Sequence, residues 1–216
     1  MRTLGHSLNT EVIGLLDHVL EPAPTWASFL AKPWSFVRMA SFAIPWLMSA
    51  KISVCYPRVV KFIQDLRLSA PPFDTSSLKI GVAGFCWGGK HTILLSHDDP
   101  SVHVKRHESQ ASNGEAEALV DCLFTAHPSF LNIPKDINAM KLPTSVTVGD
   151  QDAVLKVDGA RQVKAILDKT EQHEMRIEPG AKHGFSVRMH PENKLEVECA
   201  ERAEEQALAW FHKWLS

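Results

Sequence analysis

The chain has no Cys-x-x-Cys pair, no internal repeat, no low-complexity tract and no excess of basic residues. Its four cysteines stand far apart, at Cys55, Cys86, Cys122 and Cys199, so a structural zinc knuckle is not expected. The eleven histidines are scattered along the chain. Lys plus Arg number 23 against 25 Asp plus Glu, a net charge of -2. That balance argues against nucleic acid or an anionic membrane as an obligatory partner, since both demand a basic surface. Residues 1–10 are polar and carry no apolar signal-peptide core. The thiols are therefore expected to be reduced, in a cytoplasmic protein. The most membrane-like run, residues 39–50, is bracketed by Arg38 and Lys51 and interrupted by Pro45. It is much shorter than the ~20 residues a bilayer requires, and reads as a buried or lid-forming helix.

What is present is enough for one ordinary domain: 216 residues, 44% of them apolar. The front of the chain is ambiguous. Residues 11–20 form a short apolar run that periodicity cannot assign to strand or helix. Pro22, Pro24 and Pro33 break the next stretch, and residues 34–67 are helical in pieces and rich in aromatics, so residues 22–55 are a candidate lid or cap. Val59, Val60, Phe62, Ile63, Leu66 and Leu68 have helical spacing, which Pro71-Pro72 ends.

The back of the chain alternates strand and helix. Strands are expected at residues 78–83, 120–126, 143–148 and 174–178. Helices are expected after Gly89 through Leu95, over 157–169 and over 192–215. The last would place Leu195, Cys199, Ala203, Gln206, Trp210 and Trp214 near one face. This alternation implies an α/β fold with a mainly parallel, doubly wound sheet. In such sheets chemistry lies beyond the carboxyl ends of the strands.

The sharpest motif lies at one of those ends. Gly84-Phe85-Cys86-Trp87-Gly88 is a Gly-x-Cys-x-Gly between a strand and a helix. A nucleophile on such a turn is forced into strained backbone, and the flanking glycines are expected to relieve contacts with the neighbouring strand and helix. The turn also sets the thiol at a helix N-terminus, which favours thiolate. The Trp87 N–H would then face a developing oxyanion. The plain alternative is a Gly-rich turn with an inert, buried cysteine. Chain order supports the reactive reading, because acid and histidine follow the nucleophile in this fold. Asp152 follows the third strand, and His183 follows the fourth. Asp150 and Asp158 compete for the acid role, and Asp152 could instead cap a helix. His127 could line the site or be structural, whereas Ser96, Ser109 and Ser186 lack any such context.

These motifs resemble the dienelactone hydrolase family, of the α/β-hydrolase superfamily. The resemblance rests on Gly84-Phe85-Cys86-Trp87-Gly88-Gly89, Gly149-Asp150-Gln151-Asp152 and Lys182-His183-Gly184-Phe185. Ala126-His127-Pro128-Ser129-Phe130 and the C-terminal Trp210-Phe211-His212-Lys213-Trp214 add to it, most closely for fungal members. It covers residues 55–216 and is fainter before them. It implies a three-layer α/β-hydrolase domain that cleaves a carboxylic ester or lactone without metal or organic cofactor. Cys86 would attack the carbonyl, His183 shuttle the proton and Asp152 fix the imidazole. The family's best-known substrate is a dienelactone bearing a free carboxylate held by arginines, and Arg188 is the candidate for that contact here. Members usually carry further N-terminal strands, and a loop there supplies a second oxyanion donor. The chain is therefore expected to begin partway through the domain and to be a weak catalyst. The alternative role is that of a binding or interaction protein.

One further reading is disfavoured by residue type and another stays open. Gly84 to Lys90 nearly spells a P-loop, but His91 stands where Ser or Thr must hold magnesium. The aromatic stretch 34–46 could select an apolar acyl group or could simply pack.

Overall fold

A computed structural model describes residues 50–110 and 112–216, with a few helical residues between 33 and 44. The run 11–20 and most of the segment 22–55 lie outside the described residues. The chain divides into two compact units, Met1–Arg58 and Val59–Ser216, and the second carries the sheet.

In chain order the elements are α1 (Ile52–Leu68), β1 (Gly81–Phe85), α2 (Trp87–Leu95), β2 (Val104–Lys105), β3 (Ala116–Glu117), β4 (Cys122–Ala126), α3 (Lys135–Asn138), β5 (Thr144–Gln151), α4 (Val157–Leu167), β6 (His173–Lys182) and α5 (Lys194–Leu215). The main sheet has the order β1-β4-β5-β6, and all its pairs are parallel. A separate antiparallel pair, β2-β3, was not foreseen from the sequence.

Alternation along the strands builds three layers. On β5, Val146 and Val148 are fully buried in a cluster with Ile93 of α2, Ile137 of α3 and Ala160, Val163 and Leu167 of α4. Ser145, on the opposite face, accepts a hydrogen bond from Gln206 of α5 at 2.8 Å. β4 is covered on both faces, and every one of its residues is buried, as its apolar sequence demands. Among the described residues no helix is long and apolar enough to cross a membrane.

The buried stripe of α1 is Val60, Ile63 and Arg67, while Phe62, Leu66 and Leu68 are exposed. Arg67 is inside because each of its guanidinium nitrogens finds a partner there. It donates to the Leu119 carbonyl at 2.7 Å, Gln110 Oε1 at 3.1 Å and Asp121 Oδ2 at 2.5 Å. Arg106 reaches the other Asp121 oxygen at 3.0 Å. Together they tie α1 and the β2-β3 segment to the start of β4.

β5 and β6 run longer than their sequences suggest. Gly149-Asp150-Gln151 and Pro179-Gly180 carry turn signals, yet pairing resumes beyond them at Gln151 and Lys182 after a register shift. The irregularity accommodates Pro179, which has no N–H to give the ladder. Gly180 takes φ +76° and donates its N–H to Asp150 Oδ1 at 2.7 Å.

Candidate active site

Four strand ends converge at the carboxyl edge of the sheet. β1 ends one residue before Cys86, β4 before His127, β5 before Asp152 and β6 before His183. The fold thus brings together residues that lie far apart in the sequence.

Cys86 takes φ 51° and ψ -118° at the N-cap of α2. This is left-handed backbone for a residue with a Cβ, the strained turn that lifts a side chain clear of the sheet. Its backbone is held from both sides: its N–H donates to the Ala126 carbonyl at 3.3 Å, and its carbonyl accepts from Ser129 N at 2.9 Å. The two glycines expected to relieve crowding do not share the work. A Cβ on Gly84 would fall 2.0 Å from Thr92 Oγ1 and 2.7 Å from the Gly88 carbonyl oxygen. Gly88 itself has open space around it. Gly89 makes the second close approach, where a Cβ would lie 2.8 Å from Pro128 Cα.

His183 Nε2 lies 3.2 Å from Cys86 Sγ. On the other side of the ring, Nδ1 stands 2.9 and 3.0 Å from the two Asp152 oxygens. Asp152 is buried, and its Oδ1 also accepts the N–H groups of Val154 and Leu155 at 2.7 and 3.0 Å. Those bonds fix the loop after β5 and aim the carboxylate. The competing acids lie elsewhere. Asp150 is occupied by the Gly180 N–H, and Asp158 is exposed on α4 beside Arg161. Asp152 does not cap α4; that position is Lys156, without a side-chain cap.

The electrostatics follow from these contacts. Burial lifts the Cys86 thiol pKa. The hydrogen bonds of His183 and Ser129, the His183 charge and the Trp87 N–H outweigh that lift, and the net shift is downward. Burial lowers His183, but its bonds to Asp152 and Cys86 raise it to about 9. Each group thus favours the charged form of the other.

Trp87 stands immediately after the cysteine, with its N–H directed at the sulfur. The Arg188 guanidinium lies over Gly184, where a Cβ would meet Nη2 at 2.6 Å, and its charge is felt by His127. His127 has no exposed surface and φ 40°. Its Nε2 lies 2.9 Å from Ser186 Oγ, and its ring meets that of His183 edge-on with centroids 5.1 Å apart. Burial, together with the His183 charge, pushes its pKa down to about 3, so it is neutral.

Ser129 was not singled out from the sequence. Its Oγ lies 3.5 Å from both Cys86 Sγ and His183 Nε2. It lies in the Ala126–Phe130 stretch that adds to the family resemblance, directly after β4, and nothing in the sequence marks a role for it there. Among the described residues no group of three or more His, Cys, Asp or Glu could hold a metal ion.

A parallel sheet between helical layers, with a strained cysteine turn after one strand and an acid and a histidine after later ones, defines the α/β-hydrolase class. Residues 47–215 match the dienelactone hydrolase family, and the chain belongs to it. Hydrolase pyvD of Aspergillus violaceofuscus is 24% identical over 138 residues, 63% of this chain and 48% of the relative. A carboxymethylenebutenolidase homolog of Xenopus tropicalis is 27% identical over 152 residues, 64% of this chain and 50% of the relative. The chain spans about half the length of the curated relatives it matches. A solved structure named m3DLH superimposes with a TM-score of 0.53 at 14% identity, covering 81% of this chain and 69% of that one. This last likeness is one of fold.

Proposed function

We propose that this protein hydrolyses a carboxylic ester or lactone through Cys86, with His183 as acid–base and Asp152 orienting the imidazole. The observation that carries the proposal is the contact of His183 with the Cys86 sulfur on one side and the Asp152 carboxylate on the other. The Cys86 thiolate adds to the carbonyl carbon, and the carbonyl electron pair moves onto oxygen, where the Trp87 N–H receives it. The tetrahedral adduct collapses, and the C–O bond breaks. The leaving alkoxide takes the proton from His183 Nε2, leaving a thioester on Cys86. Water then gives a proton to Nε2 and its oxygen to the thioester carbon, which returns the sulfur as thiolate.

The Xenopus relative is named for a butenolide, an unsaturated lactone, carrying a carboxymethylene group. By analogy an anionic lactone is the substrate class proposed here, and Arg188 is the proposed contact for its carboxylate. Four free cysteines suit a reducing compartment, and a cytoplasmic location is part of the proposal.

The test is steady-state hydrolysis of a chromogenic short-chain ester and of a carboxylate-bearing lactone. Activity is expected in the wild type and is expected to vanish in Cys86→Ala and His183→Ala. Iodoacetamide should modify Cys86 far faster than Cys55, Cys122 or Cys199. Slow, equal alkylation at all four, without turnover, would favour a binding protein built on a silent hydrolase fold.

A further inference from the structure

Ser129 is a buried serine whose environment the reaction above leaves unused. Only 3% of its surface is exposed, so its hydroxyl needs partners within the protein. The atoms within its reach are the two reacting ones, Cys86 Sγ and His183 Nε2, each at 3.5 Å. Those two are themselves 3.2 Å apart, so sulfur, imidazole nitrogen and hydroxyl oxygen form a nearly equilateral triangle.

The backbone around Ser129 is arranged to hold it there. Four described residues other than glycine have positive φ, and three of them belong to this corner: Cys86 at 51°, His127 at 40° and Phe130 at 59°. Such strain persists only where surrounding structure imposes it, and it gathers at functional sites. Here the Ser129 N–H bond to the Cys86 carbonyl at 2.9 Å and the close approach of Gly89 to Pro128 do the imposing. The loop after β4 is locked directly to the cysteine turn.

We infer that Ser129 is a further catalytic residue, whose hydroxyl holds the sulfur before acylation and the hydrolytic water after it. This rests on the reading of Cys86 as nucleophile. While the sulfur is a thiolate, Ser129 O–H and His183 Nε2–H both donate to it, and the hydroxyl has one proton to give. Acylation turns the sulfur into a neutral thioester, a poor acceptor, and frees that hydroxyl. Water entering beside His183 then finds a base and a positioning hydroxyl on the same side. The water proton passes to Nε2, the new C–O bond forms at the thioester carbon, and the C–S bond breaks with its electron pair on sulfur. Ser129 then donates to the sulfur again. The hydrogen bond from Ser129 is also among the influences that lower the Cys86 thiol pKa.

The experiment compares Ser129→Ala, Ser129→Gly and Ser129→Thr with the wild type in two measurements. One is the pH dependence of iodoacetamide alkylation at Cys86. The other is the pre-steady-state burst with a chromogenic ester. Loss of the hydroxyl is expected to raise the thiol midpoint, slowing alkylation on the acid limb by about tenfold. Deacylation should slow more than acylation, so the burst grows while turnover falls. Threonine, which keeps the hydroxyl, should restore both toward wild type. Wild-type alkylation and burst behaviour in folded Ser129→Ala and Ser129→Gly would overturn the inference while leaving Cys86 as nucleophile. If the wild type forms no acyl-enzyme, the proposed hydrolysis fails instead. The alkylation profile still reports whether Ser129 touches the thiolate.

Discussion

His183 stands between a sulfur and a carboxylate, 3.2 Å from Cys86 Sγ and 2.9 Å from Asp152 Oδ2. Its position makes the protonation of one group depend on the other, so thiol and imidazole titrate as a pair. In the proposed mechanism the reactive form carries thiolate and imidazolium together. It gains population as pH rises through the lowered thiol pKa, and it is lost as pH rises through the imidazole pKa of about 9. A bell-shaped dependence of kcat/KM is therefore expected, its acid limb below the ordinary thiol range and its alkaline limb near 9. Asp152→Asn should move the alkaline limb downward. An unchanged alkaline limb in that variant would show that the carboxylate does not hold the imidazole proton.

The two glycines flanking Cys86 should respond in opposite ways to the same small change. Gly84→Ala drives a methyl group into Thr92 and the Gly88 carbonyl, forcing β1 and α2 apart at a cost of about 3 kcal/mol or more. Gly88→Ala meets nothing and removes a glycine from a helix, so it should be neutral or stabilising by up to about 1 kcal/mol. Chemical denaturation of both variants checks the contrast, and equal destabilisation would contradict the close approach at Gly84.

Much of this site is legible in the sequence, for physical reasons. The cysteine turn needs a glycine at Gly84, which few other structures need in that place, and the acid and histidine follow strands whose ends share one edge of a parallel sheet. Ser129 stands in a stretch that carries the resemblance, but its role is not legible there, because a serine after a strand carries no spacing of its own; only the fold sets it against Cys86. The ends of β5 and β6 are misread because Pro179-Gly180 breaks regular pairing, and the sheet absorbs that break as a register shift. The β2-β3 pair is two residues per strand, too short for any periodicity to register. Nothing in the sequence marks Arg67 as buried, because Asp121, its countercharge, stands far along the chain.

His127 should make the protein sensitive to acid. Its pKa of about 3 in the folded protein lies below its ordinary value of 6.5. A depressed pKa contributes stability that is present above 6.5 and is lost as pH falls toward 3. Lowering the pH to about 4 should cost on the order of 3 kcal/mol from this group alone. Urea midpoints measured across that range should fall less steeply in His127→Gln than in the wild type. Parallel slopes in the two proteins would mean that the buried ring does not resist protonation.

Arg67 is a buried cation with no exposed surface, and Asp121 is its countercharge. Arg67→Met leaves Asp121 with Arg106 as its remaining ion-pair partner among the described residues, and should cost about 3 kcal/mol. The double variant Arg67→Met, Asp121→Asn should recover part of that loss. A thermal-unfolding cycle giving simple additivity would argue that the two groups are not coupled.

The most direct measurement of the central claim is intact-mass and peptide mass spectrometry after brief exposure to a chromogenic acetate ester. One acetyl group is expected, on the peptide containing Cys86, at a stoichiometry that approaches one per chain in wild type and is absent in Cys86→Ala. Ester turnover with Cys86 never acylated, or undiminished in Cys86→Ala, would contradict it.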